Sequence, residues 1–249
     1  MAGHSKFKNI MHRKGAQDKK RAKIFSRLGR EISVAVKEGG PDPEKNIRLR
    51  SAVGSAKSLN MPKDNIERAI KKGEGNDPDS NYEEVRYEGY GPEGVAIIVE
   101  ALTNNKNRTA AEVRSSFSKY GGNLGETGSV SFGFKRLGSI ILNKSNINEE
   151  ELFDFIVENG SEDYEINDDE YIIYCDQKIL HQLNQKIIEK FGQTNFTGLI
   201  WKSENEITVS KDKADTLFKL LNILEENEDV QAVSSNFDVS DEVLASLTA

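Results

Sequence analysis

The chain is poor in the residues that several common chemistries require. Its one cysteine, Cys175, rules out a disulfide within the chain, which fits a reducing compartment. There are three histidines: His4, His12 and His181. His4 and His12 have no cysteine or carboxylate at ligand spacing, so no metal site is expected. His181 falls on the surface of an expected helix and offers little to a nucleophile-and-base pair. No stretch of about 18 apolar residues exists, so no membrane span is expected. The basic opening is followed by no apolar run, so no secretory signal is expected and the protein reads as cytoplasmic. All five prolines lie at or before Pro92, and none interrupts the strands expected after it.

What is present is charge, unevenly spread. Of 249 residues, 30% are charged and 36% hydrophobic, which suits about two or three domains with modest cores. The net charge is −7, but residues 1–75 hold 19 Lys and Arg against 8 Asp and Glu, a net of +11. The remainder holds 15 against 33, a net of −18. A basic module on an acidic body points to a polyanionic partner met at one end only, because like charges keep the rest away.

Residues 1–17 have little apolar content and read as an arm ordered on binding. Asp18 is the expected N-cap of a first helix that runs to about Glu38 and stops at Gly39-Gly40. At 100° per residue, Phe25, Leu28, Ile32, Ala35 and Val36 fall on one side, with Lys20, Lys23, Arg27 and Arg30 in one arc opposite. Asp42-Pro43 reads as the start of a second helix, with Asp42 as its cap and Pro43 at the first helical position, and with Ile47, Val53, Ala56 and Leu59 inward. Pro62 opens a third, with Ile66, Ala69 and Ile70 inward. The stretch 73–80 is linker chemistry.

Beyond it the period changes to two. Val85 and Tyr87 alternate with charges, a turn at Gly91–Gly94 follows, and Val95 to Leu102 is a second strand. Asn107 is the expected cap of a helix carrying Ala110, Val113, Phe117 and Tyr120, and Val130, Phe132 and Phe134 alternate as a further strand. From Ser139 the order is β-α-β-β-α-β, the split βαβ of the ferredoxin-like fold. A last strand at Ile207–Val209, a helix with Leu217, Leu220, Leu221 and Leu224, and a strand at Val230–Val233 complete the sheet begun at Val85.

The fold class is therefore α+β: an N-terminal three-helix domain followed by two ferredoxin-like-type α/β sandwich domains, the third inserted in the second. The domains are 1–78, basic and helical; 79–134 plus 205–249, α/β; and 135–204, the ferredoxin-like insertion.

Other candidates for chemistry are weaker. The glycine-rich run Gly121–Gly128 lacks the Gly-Lys-Ser/Thr ending of a phosphate loop and follows a helix, so it reads as a helix-to-strand turn. Lys106, Asn107 and Arg108 form a candidate anion site at a helix start, with simple capping by Asn107 the equal alternative. Tyr82, Tyr87, Tyr90 and Trp201 could stack bases but fit packing better. No carboxylate pair is set up for acid–base work. No catalytic residue, cofactor or small-molecule substrate is expected, and the protein reads as a non-enzyme.

Several of these segments resemble the YebC family. They are Gly3-His4-Ser5-Lys6-Phe7, His12-Arg13-Lys14, Asp18-Lys19-Lys20-Arg21, Met61-Pro62-Lys63-Asp64-Asn65-Ile66 and Tyr87-Glu88-Gly89-Tyr90-Gly91-Pro92. Leu102 through Thr109 and Gly121 through Val130 extend the likeness, which runs end to end and weakens after about Lys144. Phe7 stands where many members carry Trp, Phe132 where many have Trp or Tyr, and Glu93 where Gly is common. The resemblance implies the same three-domain layout. It also implies a regulator of gene expression, since members are labelled probable transcriptional regulators that bind DNA. Mitochondrial relatives look like translational activators of cytochrome oxidase, and bacterial ones are tied to ribosome function. The absence of a transit-like extension before Gly3 favours a bacterial cytosolic member.

The expected partner is thus nucleic acid, DNA or ribosomal RNA, with the ribosome itself as a further partner. The expected phosphate ligands are Lys6, Lys8, Arg13, Lys14, Lys19, Lys20, Lys23, Arg27 and Arg30. The different-class alternative is a protein–protein adaptor that docks through its acidic domains.

Overall fold

The computed structural model describes residues 17–75, 81–145, 147–167, 169–240 and 242–243, with the backbone alone for 17–20. Three helices come first: α1 (Gln17–Gly39), α2 (Ile47–Ser58) and α3 (Lys63–Glu74). Their shared core is Ile32, Ala35 and Val36 of α1, Leu49, Ala52, Val53 and Ala56 of α2, and Ile66 and Ala69 of α3, with Phe25, Leu28 and Ile70 partly buried against it. Gly73 permits α3 to lie close on α1: a Cβ there would stand 2.5 Å from the Ser33 carbonyl oxygen.

Three details of this part differ from the sequence expectation. The chain is already helical at Gln17, so Asp18 stands within α1 rather than capping it. The cap of α2 is Asn46, not Asp42: its Oδ1 accepts from the Leu49 N–H at 3.0 Å while its Nδ2 donates to the Ala35 and Gly40 carbonyls. Asp42-Pro43 instead form a turn before the helix. The buried face of the helix is Leu49, Ala52, Val53 and Ala56, while Ile47 is 58% and Leu59 43% exposed.

The next part is an antiparallel sheet of four strands in the order β3-β1-β2-β9. Here β1 is Glu83–Tyr90, β2 Ala96–Thr103, β3 Asn123–Leu124 and β9 Val230–Ser235. The β1–β2 pair runs from Glu83↔Thr103 to Tyr90↔Ala96, and β9 joins β2 from Ile97↔Ser235. Two helices, α4 (Lys106–Lys119) and α7 (Lys211–Glu226), share its core. Val113 and Phe117 of α4 and Leu217, Leu220, Leu221 and Leu224 of α7 meet Val95, Ile97, Val99 and Val233 there.

Two expectations fail in this sheet. Ile207–Thr208 (β8) is not one of its strands but pairs in parallel with Phe237–Asp238 (β10). Val130 to Phe134 is not one strand either: Ser131–Gly133 is a 3₁₀ turn and β4 begins at Phe134. The cause is Glu88, whose buried carboxylate accepts from the Val130 and Ser131 N–H groups at 2.9 Å each and so takes the donors a strand would use.

The described chain divides into two compact units, Lys135–Lys202 and the rest. Within the larger unit the helical part is tied to the first α/β part across residue 78. Arg48 of α2, for example, pairs with Glu31 and Glu38 of α1 and with Glu84 of β1.

The smaller unit holds the rest of β4 (Phe134–Asn143), α5 (Glu149–Glu158), β5 (Ser161–Ile166), β6 (Glu170–Cys175), α6 (Leu180–Phe191) and β7 (Phe196–Ser203). Its strand order β5-β6-β4-β7 is that of the split βαβ. Ile140, Leu142 and Ile173 of the sheet pack on Leu152, Ile156, Leu183 and Ile187 of the helices. Asn148 caps α5 through the Glu151 N–H at 3.0 Å, and Glu149, Glu150 and Glu151 complement the positive end of that helix. At the β5–β6 hairpin Asn167 Oδ1 accepts from the Asp169 and Glu170 N–H groups; Asp168 lies outside the described residues.

Candidate nucleic-acid interface

Of the nine expected phosphate ligands, Lys6, Lys8, Arg13 and Lys14 lie outside the described residues. Lys19 and Lys20 are on the first turn of the described α1 backbone, and Arg21, beside them, is exposed with its guanidinium over the Phe25 ring at 5.5 Å.

The remaining three face the chain's own acidic turn. Arg27 donates to the Glu225 carbonyl and Arg30 to the Glu228 carbonyl, at the C-terminal end of α7, where cations complement the helix dipole. Arg30 also reaches Asp229 Oδ1 at 3.0 Å. Burial lowers the pKa of Arg27, opposed by Glu225. Lys23 is shifted down by burial and then by Arg27, against the fields of Glu226, Glu228 and Glu225. The sequence reading displays Arg27 and Arg30 to solvent. The structure turns them inward, because the acidic turn at 225–229 supplies the counter-charge and the open carbonyls.

Asp229 is the hub of that contact. Its side chain is 4% exposed and takes Arg30 on Oδ1. On Oδ2 it takes Arg108 at 2.6 Å, Thr109 Oγ1 at 2.7 Å and Thr103 Oγ1 at 3.0 Å. Burial alone would raise its pKa; the bonds from Arg108, Thr109 and Thr103 outweigh this and hold it below the usual carboxylate range. An open cavity of about 530 Å³ beside it is lined by Arg30, Tyr82, Asn104, Arg108 and the acids Glu112, Glu228 and Asp229. With three carboxylates against two guanidiniums it is no anion cradle.

The candidate anion site takes a different form. The cap of α4 is Asn105, whose Oδ1 accepts from the Arg108 N–H at 3.1 Å; Asn107 is the second residue of the helix and exposed. Arg108 is engaged by Asp229, and Lys106 pairs with Glu83 at 2.5 Å. The aromatics proposed for stacking are also occupied. Tyr82 lies between Arg30 and Lys72, the Tyr87 and Tyr90 hydroxyls donate to the Lys106 and Ser129 carbonyls, and Trp201 lies under Arg136.

Helices α2 and α3 are joined by Leu59–Pro62, with Asn60 at φ 56°. The connection is short enough for a helix-turn-helix, but α3 is mixed in charge. It carries Lys63, Arg68, Lys71 and Lys72 against Asp64, Glu67 and Glu74, and Lys63 pairs with Glu67. Among the described residues no group of three or more His, Cys, Asp or Glu side chains could hold a metal. No described helix is long and apolar enough to cross a membrane.

Asp229, Thr103, Thr109 and Glu88 are residues that pattern reading passed over. Glu88 and Thr103 stand in strands, Thr109 near the start of α4 and Asp229 just before β9, and only their buried partners reveal them.

Fold and charge together define an α+β protein with a basic, helical N-terminal part followed by parts built on antiparallel sheets and helices. Residues 5–76 match a family model described as the TACO1/YebC protein N-terminal domain, and residues 82–237 match the TACO1/YebC second and third domain. The chain belongs to the TACO1/YebC family. A solved structure of a conserved hypothetical protein from Aquifex aeolicus is similar at 44% identity and a TM-score of 0.84, covering 90% of this chain and 93% of that one.

Proposed function

We propose that the protein is a nucleic-acid-binding regulator of gene expression that grips phosphates through its first 23 residues. The observation that carries this is the charge of that segment: Lys6, Lys8, Arg13, Lys14, Lys19, Lys20, Arg21 and Lys23 against the single acid Asp18. Arg27 and Arg30 leave the ligand set, since the acidic turn already holds them. Phosphate contact supplies affinity and register without choosing a sequence.

RNA, or the ribosome, is favoured over duplex DNA as the target. A groove-reading helix needs an outward face free to meet base edges, and the mixed, partly self-paired surface of α3 is ill-suited to that. An RNA target asks for shape and phosphate matching alone.

The test replaces Lys6, Lys8, Arg13, Lys14, Lys19 and Lys20 with Gln and follows binding to ribosomal RNA and to promoter DNA by anisotropy. Wild type is expected to show log K falling against log salt with a slope near −4 on single strands or −5 on duplex, for roughly six contacts. The variant is expected to lose most affinity with unchanged thermal unfolding. Equal affinity in wild type and variant would sink the proposal.

A further inference from the structure

The charge of the smaller unit is as uneven as that of the whole chain. Residues 135–202 hold 7 Lys and Arg against 13 Asp and Glu, a net of −6. Of those acids, 12 fall in residues 149–176, a stretch with no Lys or Arg at all. The stretch comprises α5, β5 and β6, so the acids gather on one helix and at the end of the sheet where β5 is the edge strand.

Within that acidic surface α5 carries an apolar ridge. The helix already buries Leu152 and Ile156 at 1% each, with Phe155 packed on Phe191, and this stripe seats it on the core. Phe153 and Val157 lie one helical step round from the stripe, at 41% and 54% exposed. Four residues apart, they are neighbours along the helix surface. Phe153 leans on Tyr164 of β5, ring centroids 5.3 Å apart, so the ridge is braced from one side. Helix propensity does not call for Phe or Val at outward positions, where Ala, Glu or Lys serve better.

The acids around the ridge are uncompensated. Elsewhere in the unit carboxylates are paired: Glu151 with Lys190 at 3.0 Å, and Asp163 and Glu165 with Lys202 at 2.7 and 3.1 Å. Among the described residues those ion pairs leave out Glu150, Asp154 and Glu158 of α5 and Glu162 of β5, all four exposed. An apolar ridge bordered by free carboxylates rejects nucleic acid and acidic proteins. It suits a surface that brings apolar side chains together with Lys and Arg.

We infer that this face of α5 is a docking site for a basic protein segment. The apolar side chains of the segment cover Phe153 and Val157, and its Lys and Arg meet Glu150, Asp154, Glu158 and Glu162. The apolar contact supplies most of the affinity, while the charges speed encounter and exclude wrong partners. The site is separate from the basic segment at the other end of the chain and stands whether or not that segment grips phosphates.

The experiment uses the full chain and a short amphipathic peptide of Lys and Leu, beside a peptide of equal charge in which Ser replaces Leu. Wild type is expected to prefer the Lys/Leu peptide roughly tenfold, with amide shifts in NMR gathered on α5 and β5. Phe153→Ser with Val157→Ser should remove that preference at unchanged thermal unfolding. Glu150→Gln with Asp154→Asn and Glu158→Gln keeps the ridge and should flatten the salt dependence of Lys/Leu binding, which also decides the matter if the ridge variant does not fold. Equal affinity for the two peptides, shifts centred away from α5, or binding and salt dependence unchanged in the variants overturns the inference. So does self-association of wild type in sedimentation that the ridge variant abolishes, because the occupant would then be a second copy.

Discussion

Replacing Asp229 with Asn keeps its shape and removes its charge, and the structure says what that should cost. Oδ2 receives three donors, from Arg108, Thr109 and Thr103, so the amide oxygen must stay there. The new NH₂ group then faces the Arg30 guanidinium, donor against donor, in place of a 3.0 Å ion pair. The Arg108 share is small, because that side chain is 46% exposed and its attraction is screened by water. The Arg30 share is larger: Arg30 is 15% and Asp229 4% exposed, and the other carboxylate within reach, Glu228, is 88% exposed. A lost charge-assisted bond with a half-compensated guanidinium left behind is worth about 3 kcal/mol. For a unit of this size that corresponds to a melting point lower by roughly 6–12 °C.

Urea unfolding followed by circular dichroism measures the change directly, and its pH dependence checks the cause. Since the native pKa of Asp229 lies below the unfolded value near 3.9, its stabilisation is full above that pH. It fades as pH falls through the native pKa. Asp229→Asn lacks this component, so the two proteins should differ most near neutral pH and converge in acid. A loss below about 1 kcal/mol, or a gap that does not close in acid, would refute the assignment of Asp229 as the charge hub.

Two further substitutions probe the residues that position the rest. Asn46→Ala removes the cap of α2 and the side-chain bonds to the Ala35 and Gly40 carbonyls, an expected loss of about 2 kcal/mol read from the urea midpoint. Glu88→Gln places an amide NH₂ against Arg86 and weakens the hold on Val130 and Ser131. Chymotrypsin is then expected to cut after Phe132 several times faster than in wild type, and an unchanged rate would show that Glu88 does not fix the turn.

The elements that could be read from the sequence are those whose own periodicity decides them. Ile32, Ala35 and Val36 on α1 and Leu217, Leu220, Leu221 and Leu224 on α7 are buried as their spacing requires. The split βαβ between residues 135 and 204 followed from the order of apolar runs. Two of the misreadings share one origin: a polar side chain acting at a distance in sequence. Asn46 caps α2 while reaching back to Ala35, eleven residues earlier. Glu88 turns the alternation Val130-Phe132-Phe134 into a bend from 42 and 43 residues away. Pattern alone favours the nearest cap and the simplest strand, so it chose Asp42, Asn107 and a strand running from Val130 to Phe134.

The same limit governs the charge argument and changes its shape. Helical spacing places Lys23, Arg27 and Arg30 in one arc but is silent on what that arc meets. Arg27 and Arg30 find partners 198 and 199 residues away, at the end of α7 and on Asp229. The net charge of residues 1–75 therefore overstates what is free for a ligand, since part of it holds the helical region against the first sheet. The acidic body then has two effects. Its turn at 225–229 takes up the two arginines nearest it, and its general negative charge repels a polyanion from everything except the basic segment ahead of them. Nucleic acid bound at the first 23 residues would thus be confined by the same acids that fasten α1. Removing Asp229 should loosen the fold, and adding salt should weaken phosphate binding, through separate sets of cations.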